Sequence, residues 1–218
     1  MKFGNSGVHV TGKNETLRLK ERKRRRAIAK KAKTASEALN AAHFMDQLYF
    51  LKKWWPNIID DEKPTLLIEA WENSVYPQAV DGVKWISLFK EVGFFTDGNG
   101  QKPSNEITLY RGSHPKFKRS MSWSADPITA LFFRLREEQG IKTKRIYKTI
   151  VKPESVLAVI GGLGSWPFYH SFVEYIVDPE ELTEEITEVE ENPILRLLRI
   201  LYQIEIMELL PSRKLHEC

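Results

Sequence analysis

The sequence predicts an α+β fold, in which a helical N-terminal portion precedes a mixed or antiparallel β core and a C-terminal amphipathic helix. Three observations carry that reading. Apolar residues recur at helical spacing from Ala41 to Val92, strand-length apolar runs follow Pro103, and helical spacing returns after Pro193. No strand–helix–strand alternation with a glycine-rich turn occurs, which argues against a doubly wound nucleotide-binding domain. With 218 residues, 42% hydrophobic and 11% aromatic, the chain is long enough to bury a sizeable core.

Residues 1–40 read as a basic arm, partly helical or disordered. Formal net charge is +4, yet residues 1–53 hold 14 basic and 4 acidic side chains, leaving a mildly acidic body. Between Leu17 and Lys33 ten of seventeen residues are Lys or Arg, and Ala27, Ala29, Ala32, Ala35 and Ala38 favour helix. Such an arm attracts phosphate backbones through a sequence-independent, salt-sensitive term, so nucleic-acid contact is one expectation. The other is a solvated arm, or one folded back on acidic parts of the same chain. No aromatic residue interleaves the run from Arg22 to Arg26 to stack on bases.

Residues 41–100 read as short packed helices. Phe44, Leu48, Leu51 and Trp55 form one stripe, Leu66, Leu67, Ala70 and Trp71 a second, and Val83, Ile86, Phe89 and Lys90 part of a third. Pro56, Pro64 and Pro77 mark the breaks, and Gly93 with the run Asp97 to Gly100 ends the helical part.

Residues 101–192 read as the α+β core. Ile107–Tyr110, Arg145–Val151 and Phe172–Val177 are strands, Val156–Ile160 is a buried strand or a helix start, and Pro127–Glu138 is a helix facing inward with Ile128, Ala130, Leu131, Phe132 and Leu135. Gly161-Gly162-Leu163-Gly164 has no following Lys-Ser/Thr, so it is not a phosphate loop. In residues 193–218, Ile194, Leu197, Leu198, Leu201, Ile204 and Leu209 form an amphipathic helix whose charges are too few and too mixed for a membrane surface. The one cysteine, Cys218, allows no intrachain disulfide and no cysteine-based zinc site. Without a signal-peptide core or an uninterrupted apolar span, the chain is expected to be soluble and cytoplasmic, with no membrane partner.

Three segments set a polar residue in an apolar strand context: Leu109-Tyr110-Arg111-Gly112, Ser120-Met121-Ser122-Trp123-Ser124, and Phe172 to Pro179 around Glu174. Arg111 offers a bidentate fork suited to phosphate, and Gly112 permits close backbone approach. A carboxylate such as Glu174 on an apolar strand costs free energy unless it is partnered. A strand-to-strand ion pair between Arg111 and Glu174, with Ser122 as a turn residue, is the purely structural alternative.

The order Tyr-Arg-Gly, then Ser-Trp-Ser before an Ala-x-x-Phe helix (Ala130 to Phe133), then a strand Glu closing on Asp-Pro, resembles the R–S–E type of the ADP-ribosyltransferase family. It is most similar to small ADP-ribosyltransferase-like proteins of bacteriophages and bacteria, over Ile107 to Pro179. The resemblance implies NAD as a consumed substrate, no metal, and a protein acceptor. Arg111 would pair with the NAD phosphates, Gly112 would bond the nicotinamide carboxamide, and Ser122 would orient Glu174 at the ribose. Tyr110 or Trp123 would shield the nicotinamide face. Where arginine-modifying members carry a second Glu, two residues before the catalytic one, this chain has Phe172. The acceptor therefore stays open: Ser171, Glu180 or a residue of the Gly161–Ser171 loop such as His170 would assist in place of that Glu, or water would be the acceptor, which would make the chain an NAD glycohydrolase. A nucleic-acid-associated protein on an inactive scaffold is the alternative from another class.

Overall fold

A computed structural model of the chain describes residues 12–74, 77–97, 100–135, 144–161, 173–190, 193 and 196–197; for 12–16, 77–81, 132 and 135 the backbone alone is described. The architecture is α+β. The chain divides into two compact units, residues 1–102 with 157–160, and residues 103–156 with 161–218.

The first unit is helical. Five helices follow one another: α1 (Gly12–Ala29), α2 (Ala35–Ala41), α3 (Gln47–Trp54), α4 (Lys63–Glu72) and α5 (Pro77–Val92). Their starts follow from local chemistry. Thr34 caps α2 by accepting a hydrogen bond from the Glu37 backbone N–H at 3.2 Å, and the Glu37 carboxylate reaches back to the Lys33 N–H at 2.8 Å. Pro64 lies in the first turn of α4 and Pro77 opens α5, where a missing N–H costs nothing. Gly93, at φ +80°, ends α5 in the left-handed region.

The core of this unit holds Phe50, Leu51, Leu66, Leu67, Ala70, Trp71, Trp85, Leu88 and Phe89, all buried. Trp71 meets Trp85 and Phe89 edge-on at 5.3 and 5.4 Å between ring centroids, the arrangement that ring quadrupoles favour. The second expected stripe is buried as read. In the first, Leu51 and Trp55 are buried, Leu48 is half-buried and Phe44 exposed; in the third, Phe89 is buried, Ile86 half-buried and Val83 exposed, and Phe50 and Trp85 add inward positions that the stripes did not include. At Gly93 the chain turns into β1 (Phe95–Thr96), which pairs in parallel with β5 (Val156–Gly161), Phe95 opposite Ala158 and Thr96 opposite Val159. Every residue of β5 is buried, so the apolar run is a strand.

The basic run is ordered helix and sorts by face. Arg22, Arg25 and Arg26 recur at helical spacing with buried Ala29 and turn toward α2 and α3. Arg22 forks onto Asp46, only 2% exposed, with Nη2 at 2.6 Å from Oδ1 and Nε at 3.1 Å from Oδ2. Arg25 donates to the carbonyls of Ala41 and Asn40, both at 3.1 Å, which are otherwise free at the end of α2. Arg26 lies over the Tyr49 ring, 4.6 Å from its centroid. Beside them the buried His43 imidazole is held below its ordinary pKa, chiefly by desolvation and against the pull of Asp46.

The second unit carries the β core. Strand β2 (Ile107–Ser113) pairs antiparallel along its length with β4 (Arg145–Val151), from Ile107 opposite Val151 to Ser113 opposite Arg145. The short β7 (Thr187–Glu188) adds to the other edge of β4. Strand β3 (Ser122–Trp123) pairs antiparallel with β6 (Val173–Val177), and a bridge between Tyr110 and Ser124 links β2 to β3. Helix α6 (Pro127–Leu135) packs on β2, its Ala130 and Leu131 buried against Ile146. Ile128, expected inward, is partly exposed. The expected amphipathic helix from Ile194 to Leu210 lies outside the described residues except for Arg196 and Leu197, which are helical and exposed. Among the described residues no helix is long and apolar enough to cross a membrane.

Candidate functional site

Arg111, Ser122 and Glu174 all belong to the second unit and stand on three strands, β2, β3 and β6. Register relates the last two. Ser122 is opposite Ile176, so Ser122 and Glu174 share a face of the strand pair as diagonal neighbours, roughly 7 to 8 Å apart by the ordinary geometry of such pairs. Arg111 is tied to the same place from β2. Its Nη1 donates to the Ser122 carbonyl at 2.5 Å and its Nε to the Phe117 carbonyl at 3.1 Å. Burial pushes the Arg111 guanidinium down to about pKa 10, and the carboxylate of Glu174 acts in the opposite sense, favouring the charged form.

Ser124 has a different job. It is buried, exchanges two backbone hydrogen bonds with Tyr110 (2.7 and 2.9 Å), and its Oγ accepts from the Asp126 N–H at 3.2 Å. Asp126 in turn caps α6, accepting from the backbone N–H groups of Ile128 and Thr129, both at 3.0 Å, and from the Thr129 hydroxyl. The Ser-Trp-Ser segment thus divides: Ser124 starts the helix, and Ser122 stays with Arg111 and Glu174.

Three other expected site residues are placed elsewhere. Side chains alternate along β2, so Tyr110 and Gly112 face α6 while Arg111 faces away from it. Tyr110 packs on the cluster of Ala130, Leu131 and Ile146, which removes its ring from the side on which Arg111 lies. A Cβ on Gly112 would meet the Ala130 carbonyl oxygen at 1.9 Å. The glycine is therefore demanded by the close approach of α6, whatever else its backbone does. Trp123 is a core residue, 2% exposed, with its Nε1 donating to the Ser120 carbonyl at 2.6 Å. It presents no ring face to a nicotinamide.

Lys144 is the residue that the sequence did not single out. It is 4% exposed, immediately before β4, and next in the chain to Arg145, which is paired with Ser113. Burial first, and the nearby Arg111 charge second, push its ammonium down to about pKa 8. The Ser113 hydroxyl, at the strand position opposite Arg145, is buried without a hydrogen-bond partner among the described residues. The buried Lys144 and the half-buried Arg111, with Glu174 acting on Arg111, suit a ligand that carries both an anionic group and sugar hydroxyls. No protein-family model, curated protein or solved structure matches this chain. The chemistry of the site rests on its own geometry.

Glu180 is exposed, with its backbone N–H bonded to the Asp178 carboxylate at 2.9 Å. His170 and Ser171, expected to assist the acceptor step, and Phe172 lie outside the described residues. Among the described residues no group of three or more His, Cys, Asp or Glu is placed to hold a metal ion.

Proposed function

We propose that the second unit is an NAD-consuming mono-ADP-ribosyltransferase, resembling small effectors of bacteria and their phages, that passes ADP-ribose to a macromolecular acceptor. The reading is supported above all by the meeting of Arg111, Ser122 and Glu174, which lie far apart in the chain and come from three strands. NAD fits the donor set, since its pyrophosphate is an anion that the half-buried Arg111 and the buried Lys144 can hold and its ribose carries the hydroxyls that a carboxylate binds. When bound it supplies a glycosidic carbon–nitrogen bond that breaks with the electron pair leaving on nicotinamide.

The residues of this chain then have distinct tasks. Arg111 holds the pyrophosphate, and Lys144 adds a second positive charge to it. Glu174 accepts a hydrogen bond from the ribose and faces the positive charge that develops as the bond stretches. Ser122 keeps the carboxylate aligned from the adjacent strand. The acceptor completes the reaction by attacking the anomeric carbon; if water does so, the same site is an NAD glycohydrolase.

The test is nicotinamide release from NAD, with and without cell lysate as acceptor. Glu174→Gln keeps the side-chain shape and removes the charge, and is expected to lower release by about two to three powers of ten, in line with loss of one electrostatic stabiliser, with an unchanged melting temperature. Wild-type protein that releases no nicotinamide under either condition overturns the proposal. One observation favours a second reading, an inactive scaffold: both carbonyl bonds of Arg111 fasten it to the fold as a structural ion-pair partner of Glu174 would be. On that reading Glu174→Gln lowers the melting temperature and there is no activity to lose.

A further inference from the structure

The basic helix of the first unit presents two unlike faces. Arg22, Arg25 and Arg26 are consumed within the fold by Asp46, the carbonyls of Ala41 and Asn40, and Tyr49. The opposite stripe carries Lys20, Lys23, Arg24 and Ala27 at three- and four-residue spacing, and Lys31 follows in the turn after the helix. All five are exposed. Arg24 is paired with Glu21 at 2.8 Å, whereas no ion pair among the described residues reaches Lys20, Lys23 or Lys31. Lysines left unpaired along one line of a folded helix repel one another, which a solvated face gains nothing by keeping.

Charge density argues for the kind of partner. At the helical rise, Lys20 to Lys31 covers about 16 Å, over which duplex nucleic acid offers roughly nine phosphates. The stripe itself has alanine as its one apolar member, and the exposed Leu17, Leu19 and Ile28 of α1 lie off it on two sides, so they do not make the continuous apolar face by which a helix beds into a membrane surface. The stripe also lacks an aromatic ring to stack on bases. We propose that the outward face of α1 docks on the phosphate backbone of a nucleic-acid duplex without reading its sequence. This surface belongs to the first unit, and the proposal stands or falls apart from any turnover of NAD.

The experiment uses the full chain and a fluorescein-labelled duplex in anisotropy titrations from about 50 to 300 mM salt. Lys20→Glu/Lys23→Glu is compared with Lys116→Glu/Lys118→Glu, an equal change of net charge at exposed positions of the second unit. Wild type is expected to bind duplexes of unrelated sequence alike. The first pair is expected to flatten the slope of log affinity against log salt by about 2, close to 0.9 for each lost phosphate contact. The second pair should leave that slope unchanged. Lys20→Ala/Lys23→Ala, which removes charge without adding repulsion, should flatten the slope similarly, and circular dichroism should show every variant folded. Equal loss in both Glu pairs, failure of wild type to bind the duplex at the lowest salt, or tighter binding to phosphatidylserine vesicles or polyglutamate than to the duplex would overturn the proposal.

Discussion

At Gly112 a single hydrogen atom separates β2 from α6. The atoms that a Cβ would strike, the Ala130 carbonyl oxygen at 1.9 Å and the Arg134 nitrogen at 2.6 Å, are both backbone, so no side chain can swing aside to admit it. Gly112→Ala is therefore expected to destabilise the protein by about 1 to 3 kcal/mol, the range for overpacking a close contact. A lowered urea midpoint with an unchanged slope would record it, and an unchanged midpoint would refute the packing argument. The same residue marks the limit of what the sequence conveys about the site. Arg-Gly on a strand announced an unusual glycine, but not that a helix nearly twenty residues later is the object pressed against it. Arg111, Ser122 and Glu174 were legible because each is a polar residue in an apolar context. Lys144 was not, because its burial comes from where the end of β4 is placed beside β2, and nothing local distinguishes it from its exposed neighbours.

Among the elements, α1 shows how an apparently solvated charge run is held. Arg22 and Asp46 are 24 residues apart in sequence and form a fork with one partner almost fully buried. A double-mutant cycle with Arg22→Met and Asp46→Asn is expected to give a coupling of about 1 to 3 kcal/mol. The exposed pair Arg24 and Glu21, treated likewise, should give a much smaller coupling that fades as salt is added. Near-equal couplings would mean that burial of Asp46 does not strengthen the bond. Before folding, all three inward arginines are indistinguishable from Lys20 and Lys23, and only the partners on α2 and α3 separate them. Strands followed a simpler rule. The span Arg145–Val151 was legible to the residue because seven residues show an alternation. The two-residue strands β1 and β7 have no period to read and exist only through their partners. The stripes of α3 and α5 were legible at Leu51, Trp55 and Phe89 but not at Phe44, which precedes α3, or at Val83 in the middle of α5, where an apolar residue satisfies the period and still points to solvent.

For the whole molecule, the division into two units does not cut the chain into two pieces. Residues 157–160, with Ala158 and Val159 opposite β1, belong to the first unit although nearly all of it lies before residue 103. A fragment ending at Lys102 leaves the backbone of Phe95 and Thr96 without its parallel partner. Such a fragment is expected to keep helical circular dichroism but to melt at lower temperature and with less cooperativity than the full chain; an equally sharp transition at the same temperature would show that β5 adds nothing to the first unit. The division between a helical front and a strand-rich body was legible from periodicity alone. The return of four residues to the front was not, because a buried apolar run gives no indication of which neighbour it will join.

That return also sets a clock. The helices of the first unit leave the ribosome first, yet the strand that completes their unit is made only after a further stretch of about 55 residues, roughly 3 to 11 seconds at ordinary rates of synthesis. Through that interval β1 is an open edge. The helical half, begun first, therefore waits for most of the strand-rich half to be made before its own last strand exists.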